Sequence, residues 1–370
     1  MHDFLNDVYG QGSAKTLLEN LIKTGRIPHA LLFCGSEGVG KHFTAIQFAK
    51  LLNSENINQP DSVIYKRISS LSEPYIKYVM PLPRGKGETA EDSSMDKLSK
   101  EVVEQINDEL KIKTANPYHI ISIDNANTIK INSIREIKKF ISINYDDIKY
   151  RIIIINEAHL MNEESQNALL KSLEEPPEGI VFILLTPYKD RLLTTIQSRC
   201  WGVNFEPLTE KDIEEILTKY FDADKKTAGK VSHFAEGSIT TAVELIDQDL
   251  DKTLENAISL LRYSLAKKYN SAFAGAKKLV DDSPETFIAT VRIILKWLND
   301  VIKNRVDVKS YYFNDYKDTI EKFNLRFGET DINSAYDKLS ELINAYDRNV
   351  NLNVIILNVI FELSAIVNRN

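Results

Sequence analysis

The amino-acid sequence predicts an α/β domain built on a parallel sheet, followed by an all-helical region. Three observations carry this. A continuous apolar run, Ala30-Leu31-Leu32-Phe33-Cys34, enters the glycine-rich loop Gly35-Ser36-Glu37-Gly38-Val39-Gly40-Lys41 and then a helical pattern reaching about Leu52. Further apolar runs at 118–124, 151–157, 181–186 and 201–205 alternate with helical stretches, as strands covered on both faces do. From about residue 210 onward the apolar positions keep helical spacing.

The chain of 370 residues is long enough for two or three domains. Its 43% hydrophobic and 27% charged residues are those of a globular protein. A formal net charge of −7 excludes a nucleic-acid binder that uses its whole surface, and leaves room for a local basic patch. Two cysteines, Cys34 and Cys200, are too few for a disulfide framework or a four-cysteine zinc site. No apolar run reaches the roughly 18 residues of a membrane span, and Met1-His2-Asp3-Phe4 does not open a signal peptide. A cytoplasmic protein is the expectation.

In chain order, residues 11–26 show an amphipathic helix through Ala14, Leu17, Leu18, Leu21 and Ile22. Strand, glycine-rich loop and helix at 30–52 form the context a phosphate-binding loop requires. Backbone N–H groups around Gly35, Gly38 and Gly40 cradle phosphates, and Lys41 reaches the outer ones. The residue after that lysine should be Ser or Thr, whose hydroxyl ligates Mg²⁺. Here it is His42, and imidazole suits a hard, oxygen-seeking ion poorly. Residues 54–117 read as an insertion between the first two strands, with a mobile polar loop from Pro81 to Ser94 and a helix marked by Leu98, Val102, Ile106 and Leu110.

Residues 118–124 are expected as the second strand, 131–143 as a helix on Ile134, Ile137 and Ile141, and 151–157 as the third strand. In a phosphate-loop ATPase that strand ends in Asp-Glu, the Asp organising the metal shell and the Glu polarising water. Here the pair is Asn156-Glu157. A helix to Glu174 is stopped by Pro176-Pro177. The fourth strand then ends in Thr186, a hydroxyl placed to sense a γ-phosphate. Alternatives stand beside Glu157 and beside Arg199, which follows the short helix after the fourth strand. Glu157 can simply be a charge favouring a helix start, and Arg199 a helix-end arginine paired with a carboxylate.

The order Gly-Arg-Ile-Pro-His-Ala at 25–30, the loop at 35–41, Asn-Glu-Ala-His-Leu-Met at 156–161, Asn-Ala-Leu-Leu-Lys-Ser-Leu-Glu-Glu-Pro-Pro at 167–177 and Thr-Ile-Gln-Ser-Arg-Cys at 195–200 closely resembles the bacterial clamp-loader AAA+ family. The resemblance covers about 1–50 and 118–245. It implies a RecA-like AAA+ domain at 1–205 with a five-stranded parallel sheet, a small helical lid at 206–248 and a helical collar domain for oligomerisation at 249–370. It implies that Lys41 is the phosphate-loop lysine, Glu157 the water-activating glutamate, Thr186 the first sensor, and Arg199 an arginine finger offered to ATP on a neighbouring subunit. The implied partners are other clamp-loader subunits of tau/gamma and delta types, the sliding clamp and primer–template DNA, in a hetero-oligomer away from membranes.

Three positions depart from the family's motor subunits. His42 replaces the metal-binding hydroxyl, Asn156 the metal-organising Asp, and Thr240 a second-sensor arginine. A single lost donor in such a site costs about 2.7–4 kcal/mol of transition-state stabilisation, by analogy with oxyanion holes. The expectation is a subunit that does not hydrolyse ATP on its own and keeps Glu157 as a vestige. It needs no cofactor and no zinc, and retains at most weak ATP or ADP binding at the degenerate loop. The family's four-cysteine zinc module is absent, and 54–117 takes its place. Two readings compete: a working motor subunit of the tau/gamma type, and an AAA+ protein of DNA repair or recombination.

Overall fold

A computed structural model describes residues 4–54, 62–89, 91–143, 147–308, 310–346 and 350–368. The chain divides into two compact units, Met1–Thr241 and Ala242–Asn370. The division falls inside a helix, a few residues before the boundary at 248/249 expected from the sequence.

The first unit is organised by five parallel strands: β1 (Ala30–Cys34), β2 (Ile76–Val79), β3 (Arg151–Ile155), β4 (Ile180–Thr186) and β5 (Trp201–Asn204). Their spatial order is β2-β3-β4-β1-β5. Parallel neighbours cannot be joined by tight turns, so each connection crosses over a face of the sheet. The helices making these crossovers and flanking them are α1 (Gly12–Thr24), α2 (Lys41–Leu52), α3 (Val63–Ser69), α4 (Lys100–Ala115), α5 (Ile131–Ile141), α6 (Glu163–Glu174) and α7 (Thr194–Gln197).

Side chains alternate along each strand and divide the core into two layers. Leu31, Phe33, Ile152, Ile154, Ile183 and Leu185 pack with Leu18 of α1 and with Ala45, Phe48 and Ala49 of α2. Leu32, Ile153, Ile155, Phe182 and Leu184 pack with Ile134, Ile137 and Phe140 of α5 and with Leu169 and Leu173 of α6. Burying one such side chain stabilises by about 1.5–3 kcal/mol. The apolar strand centres are therefore the main reason these runs become strands.

The second strand is not the one expected. Residues 118–124 carry no strand, and Ile76–Val79, inside the stretch read as an insertion, pairs with β3. The 118–124 segment instead lies against α4. Glu109 accepts from Ser122 N–H at 2.8 Å and sits 2.9 Å from His119 Nε2, while Ile121 and Ile123 pack on Met80, Leu82 and Ile106. The segment's polar groups are satisfied by a helix rather than by a ladder, so its alternating pattern has no sheet to join.

The loop from Pro81 to Ser94 is also corrected. It is pinned by a buried carboxylate, not free. Glu88 accepts from Lys130 Nζ at 2.8 Å, Asn132 Nδ2 at 3.0 Å and Gly85 N–H at 2.7 Å. Lys130 also donates to Ser94 O at 2.6 Å, and Asn132 to Thr89 O at 2.9 Å.

Helices α8 (Glu210–Tyr220) and α9 (Lys225–Phe234) follow the sheet. Thr209 and Asp212 form a full capping box at the start of α8, which satisfies two helix-end donors at once. Helix α10 (Ile239–Asp247) begins at Ser238, whose hydroxyl accepts from Thr241 N–H at 3.2 Å.

The second unit is helical: α11 (Leu250–Leu265), α12 (Tyr269–Asp282), α13 (Pro284–Arg305), α14 (Lys317–Phe327), α15 (Ile332–Tyr346) and α16 (Leu352–Ala365). Helix α13 buries Phe287, Val291, Ile294 and Leu298. On α16, Ile355, Val359, Ile360 and Leu363 are buried, whereas Val354 is 49% exposed. Asp300, fully buried on α13, accepts from Tyr312 and Phe313 N–H at 3.1 and 2.8 Å.

Replacing Glu88 with Ala should leave the Lys130 charge buried without its partner, at a cost of about 3–5 kcal/mol. The loss is checked by urea denaturation. Limited trypsinolysis should show cleavage at Arg84, Lys86 and Lys97 before the rest of the chain.

Candidate functional site

Because all five strands run the same way, their carboxyl ends share one edge, where open α/β sheets hold ligands. The loop after β1, the turn after β3 and the end of β4 all lie there. They line a cavity of about 230 Å³ whose walls include Gly38, Gly40, Lys41, His42, Asn156, Glu157 and Thr240. Sequence positions that depart from ATPase chemistry thus meet in one place. The structure adds Lys113, Tyr118 and Glu37 to the same walls.

The loop's shape depends on its glycines. Gly38 has φ +70° and Gly40 φ +91°, the left-handed region that glycine adopts freely. A Cβ on Gly38 would lie 2.4 Å from Thr240 N. Gly38 O instead accepts from Ile239 N–H at 3.1 Å, tying the loop to the start of α10. The Gln11 amide ties it to the segment just after β5. Its Nε2 donates to Val39 O at 3.1 Å and Glu206 O at 2.7 Å, and its Oε1 accepts from Glu206 N–H at 2.9 Å.

Lys41 is folded onto its own loop, donating to Gly35 O at 2.7 Å and Ser36 O at 2.5 Å. Burial lowers its pKa to about 8, against the opposing pull of Glu157 and Glu37. His42 is buried, with both ring nitrogens lacking a hydrogen-bond partner, and its ring meets Tyr78 edge-on at 5.4 Å. Burial, with the nearby Lys113 charge, holds it neutral. Thr44 donates its hydroxyl back to Gly40 O at 2.9 Å, so it does not replace the missing metal ligand.

Glu157 sits at φ +52° in the turn after β3. Burial first, and repulsion from Glu37 second, raise its carboxyl to about 7, while Lys41 and Lys113 oppose the rise. Asn156 is held by its backbone N–H, which donates to Val79 O at 2.8 Å. Thr186 is fully buried. Its hydroxyl accepts from Tyr188 N–H at 2.9 Å and lies 3.2 Å from His159 Nδ1. The sensor-like hydroxyl is therefore already committed within the chain.

A phosphate-loop site of this architecture is ordinarily completed by Mg²⁺. These residues do not fit that ion. A buried neutral imidazole, a back-bonded threonine and a neutral amide replace its oxygen ligands, and among the described residues no cluster of His, Cys, Asp and Glu could hold a metal.

Arg199 is not among the residues lining the cavity. It lies just beyond α7, where Nη1 donates to Thr195 O at 2.9 Å and Nη2 pairs with Glu174 Oε1 at 2.6 Å. Glu174 belongs to the Leu-Glu-Glu-Pro-Pro run. Both side chains are partly exposed. Within this chain the arrangement is the carboxylate pairing considered above as the alternative for Arg199.

Lys113 is the residue that sequence reasoning missed. It lies on α4, in a stretch without a legible motif, and no local pattern marks it. Only the packing of α4 beside the loop brings it to the cavity.

Among the described residues no helix is long and apolar enough to cross a membrane. Residues 10–209, more than half of the chain, match the family described as "DNA polymerase III, delta subunit". The chain is 29% identical over 303 residues to "DNA polymerase III subunit gamma" of Buchnera aphidicola subsp. Acyrthosiphon pisum, covering 78% of this chain and 72% of that protein. It is 27% identical over 319 residues to "DNA polymerase III subunit tau" of Bacillus subtilis, covering 84% and 49%. With "DNA polymerase III subunit tau" of Escherichia coli it shares 30% over 247 residues, covering 65% and 32%. The chain thus spans less than half the length of these two tau relatives.

Glu157 also makes stability depend on pH. Its folded pKa lies above the ordinary carboxyl value of 4.5. The protonated form therefore favours folding below pH 4.5, and that contribution is lost as pH rises through about 7. Replacing it with Gln should leave stability unchanged near pH 4 and raise it by about 1–2 kcal/mol at pH 8. That figure is discounted because 34% of the side chain meets water. Urea unfolding at the two pH values checks it.

Proposed function

The chain belongs to the family described as DNA polymerase III, delta subunit, and from that premise we propose that it is a clamp-loader subunit of the delta prime type. In this reading it completes a ring of related AAA+ subunits. It presents Arg199 to ATP held by a neighbour, so that nucleotide state governs loading of the sliding clamp onto primed DNA. The observation that carries the reading is the meeting of His42, Asn156 and Thr240 on one cavity. Each replaces a group that hydrolysis needs, and the first two remove the metal's ligands. A site so altered supports a subunit that acts on a neighbour's nucleotide and assembles with other clamp-loader subunits.

A second reading has an observation of its own. The relatives above are named gamma and tau, and the cavity keeps Lys41 and Glu157. A working motor subunit would hydrolyse ATP alone and lose that activity on Lys41→Ala. In the delta prime reading the isolated chain has no measurable turnover with or without that substitution.

The finger role is tested in a reconstituted loader. Arg199→Ala should assemble normally, because it removes only a partly exposed ion pair. It should lower DNA-stimulated ATPase by 10³-fold or more, the order expected when an arginine finger is lost. Unchanged turnover would take Arg199 out of the mechanism.

A further inference from the structure

We propose that the phosphate-loop cavity binds a nucleoside polyphosphate through its phosphate chain without a divalent metal, and that the Lys113 ammonium supplies the positive charge the metal would bring. This deepens the reading of the degenerate site, and rests on the loop and cavity rather than on which clamp-loader subunit the chain is.

A bound phosphate chain needs N–H donors, cations and a place shielded from water. The donors are provided by a loop with left-handed glycines at Gly38 and Gly40, leading into the N-terminus of α2. Such a terminus carries about half a positive charge and a set of free N–H groups. The metal is not provided for, as the ligand set showed.

What stands in that region instead is Lys113. Its side chain is 9% exposed and it lines the cavity with Lys41, His42 and Glu157. Its Nζ donates one hydrogen bond, to His119 O at 2.6 Å. An ammonium has three donors, so two remain without a protein partner among the described residues. Glu157 favours its charge from a distance, but no carboxylate lies within ion-pair reach of it among the described residues. Burying a cation without a paired anion is costly, and burial accordingly lowers its pKa to about 7. A bound phosphate would supply the missing anion.

A separate observation also points to a ligand. His42 lines the cavity and is buried, with both ring nitrogens unpartnered. Buried polar groups in folded proteins nearly always have partners, and the His42 nitrogens have none among the described residues.

Size and charge set the limits of the site. At about 230 Å³ the cavity is below the usual range of about 300–1,000 Å³ for a whole small-molecule ligand. It takes the phosphate chain and leaves the base outside. Two lysines face Glu37 and Glu157. Glu37 is exposed and screened by water, and Glu157 is part-protonated near neutrality because its pKa stands at about 7.

Equilibrium dialysis of the full chain with ATP, in Mg²⁺ and in excess EDTA, tests this. ATP should bind at least as tightly in EDTA. Inorganic tripolyphosphate should displace it. Lys113→Met should weaken binding tenfold or more, while Lys113→Arg, which keeps the charge, should retain most of it. Circular dichroism melts confirm that each variant is folded. If Lys113→Met does not fold, the parent's metal dependence and the Arg variant decide. Binding that appears only with Mg²⁺, an affinity unchanged in Lys113→Met, no displacement by tripolyphosphate, or no binding at millimolar ATP would each overturn the proposal. The subunit reading is decided separately, by turnover in the reconstituted loader.

Discussion

Parallel pairing is the constraint from which the rest of the first unit follows. Strands that all run one way need crossovers, and crossovers cover the sheet on both faces. The strand centres, such as Ile152 to Ile155 and Val181 to Leu185, must then be apolar on every side. The same rule puts every strand's carboxyl end on one edge. Gly35 after β1, Asn156 and Glu157 after β3, and Thr186 at the end of β4 converge there although more than 150 residues separate the first from the last. Gln11 and the Gly38 carbonyl then hold the loop against the following elements. The cavity is a consequence of the sheet's direction.

Within that cavity, burial and not pairing dominates the electrostatics. Desolvation is the leading cause of the shifts at Lys41, His42, Lys113 and Glu157 alike. Cations are pushed toward losing a proton and the acid toward keeping one. A metal ion would reverse that balance, since it favours ionised ligands and is the largest local charge in its site. The residues present suit an environment without it: a neutral imidazole, a neutral amide, and ammonium groups that meet carbonyl oxygens. The His42 and Asn156 departures are therefore linked, because neither makes sense beside an ion the other has given up.

Much of this was legible in the sequence, and the parts that were not have physical reasons. Strands β1, β3 and β4 announce themselves as apolar runs because each buries most of its length, whereas β5 buries only Val203. The strand at 76–79 does not announce itself. It is four residues long, carries Lys77, and needs only one partner because it lies at the sheet's edge. The stretch 118–124 misleads for the opposite reason. Alternation there reports one buried face, and a helix such as α4 can supply that face as well as a neighbouring strand can. The Pro81–Ser94 loop looks mobile because its residues are polar. Its order comes from a single carboxylate, Glu88, whose partners Lys130 and Asn132 lie some 40 residues on. For the site, the motif residues were legible because they are contiguous. Lys113 was not, since only tertiary packing brings it there.

The Arg199–Glu174 pair links the Leu-Glu-Glu-Pro-Pro run to the proposed work in trans. An ion pair between partly exposed side chains contributes about 0–1 kcal/mol. It therefore adds little to the stability of the fold. What it does provide is position. Thr195 O fixes one edge of the guanidinium at 2.9 Å, and Glu174 occupies the other at 2.6 Å. Helix α6 ends where Pro176-Pro177 must end it, which places Glu174 at its last turn opposite the end of α7. A phosphate offers a guanidinium a stronger, bidentate contact than a half-solvated carboxylate. In the proposed role, transfer of Arg199 from Glu174 to a neighbour's nucleotide costs little in the donor subunit and gains a charge-assisted pair in the acceptor. In that proposed role Glu174 is the partner that Arg199 leaves, and Thr195 O the contact it can keep.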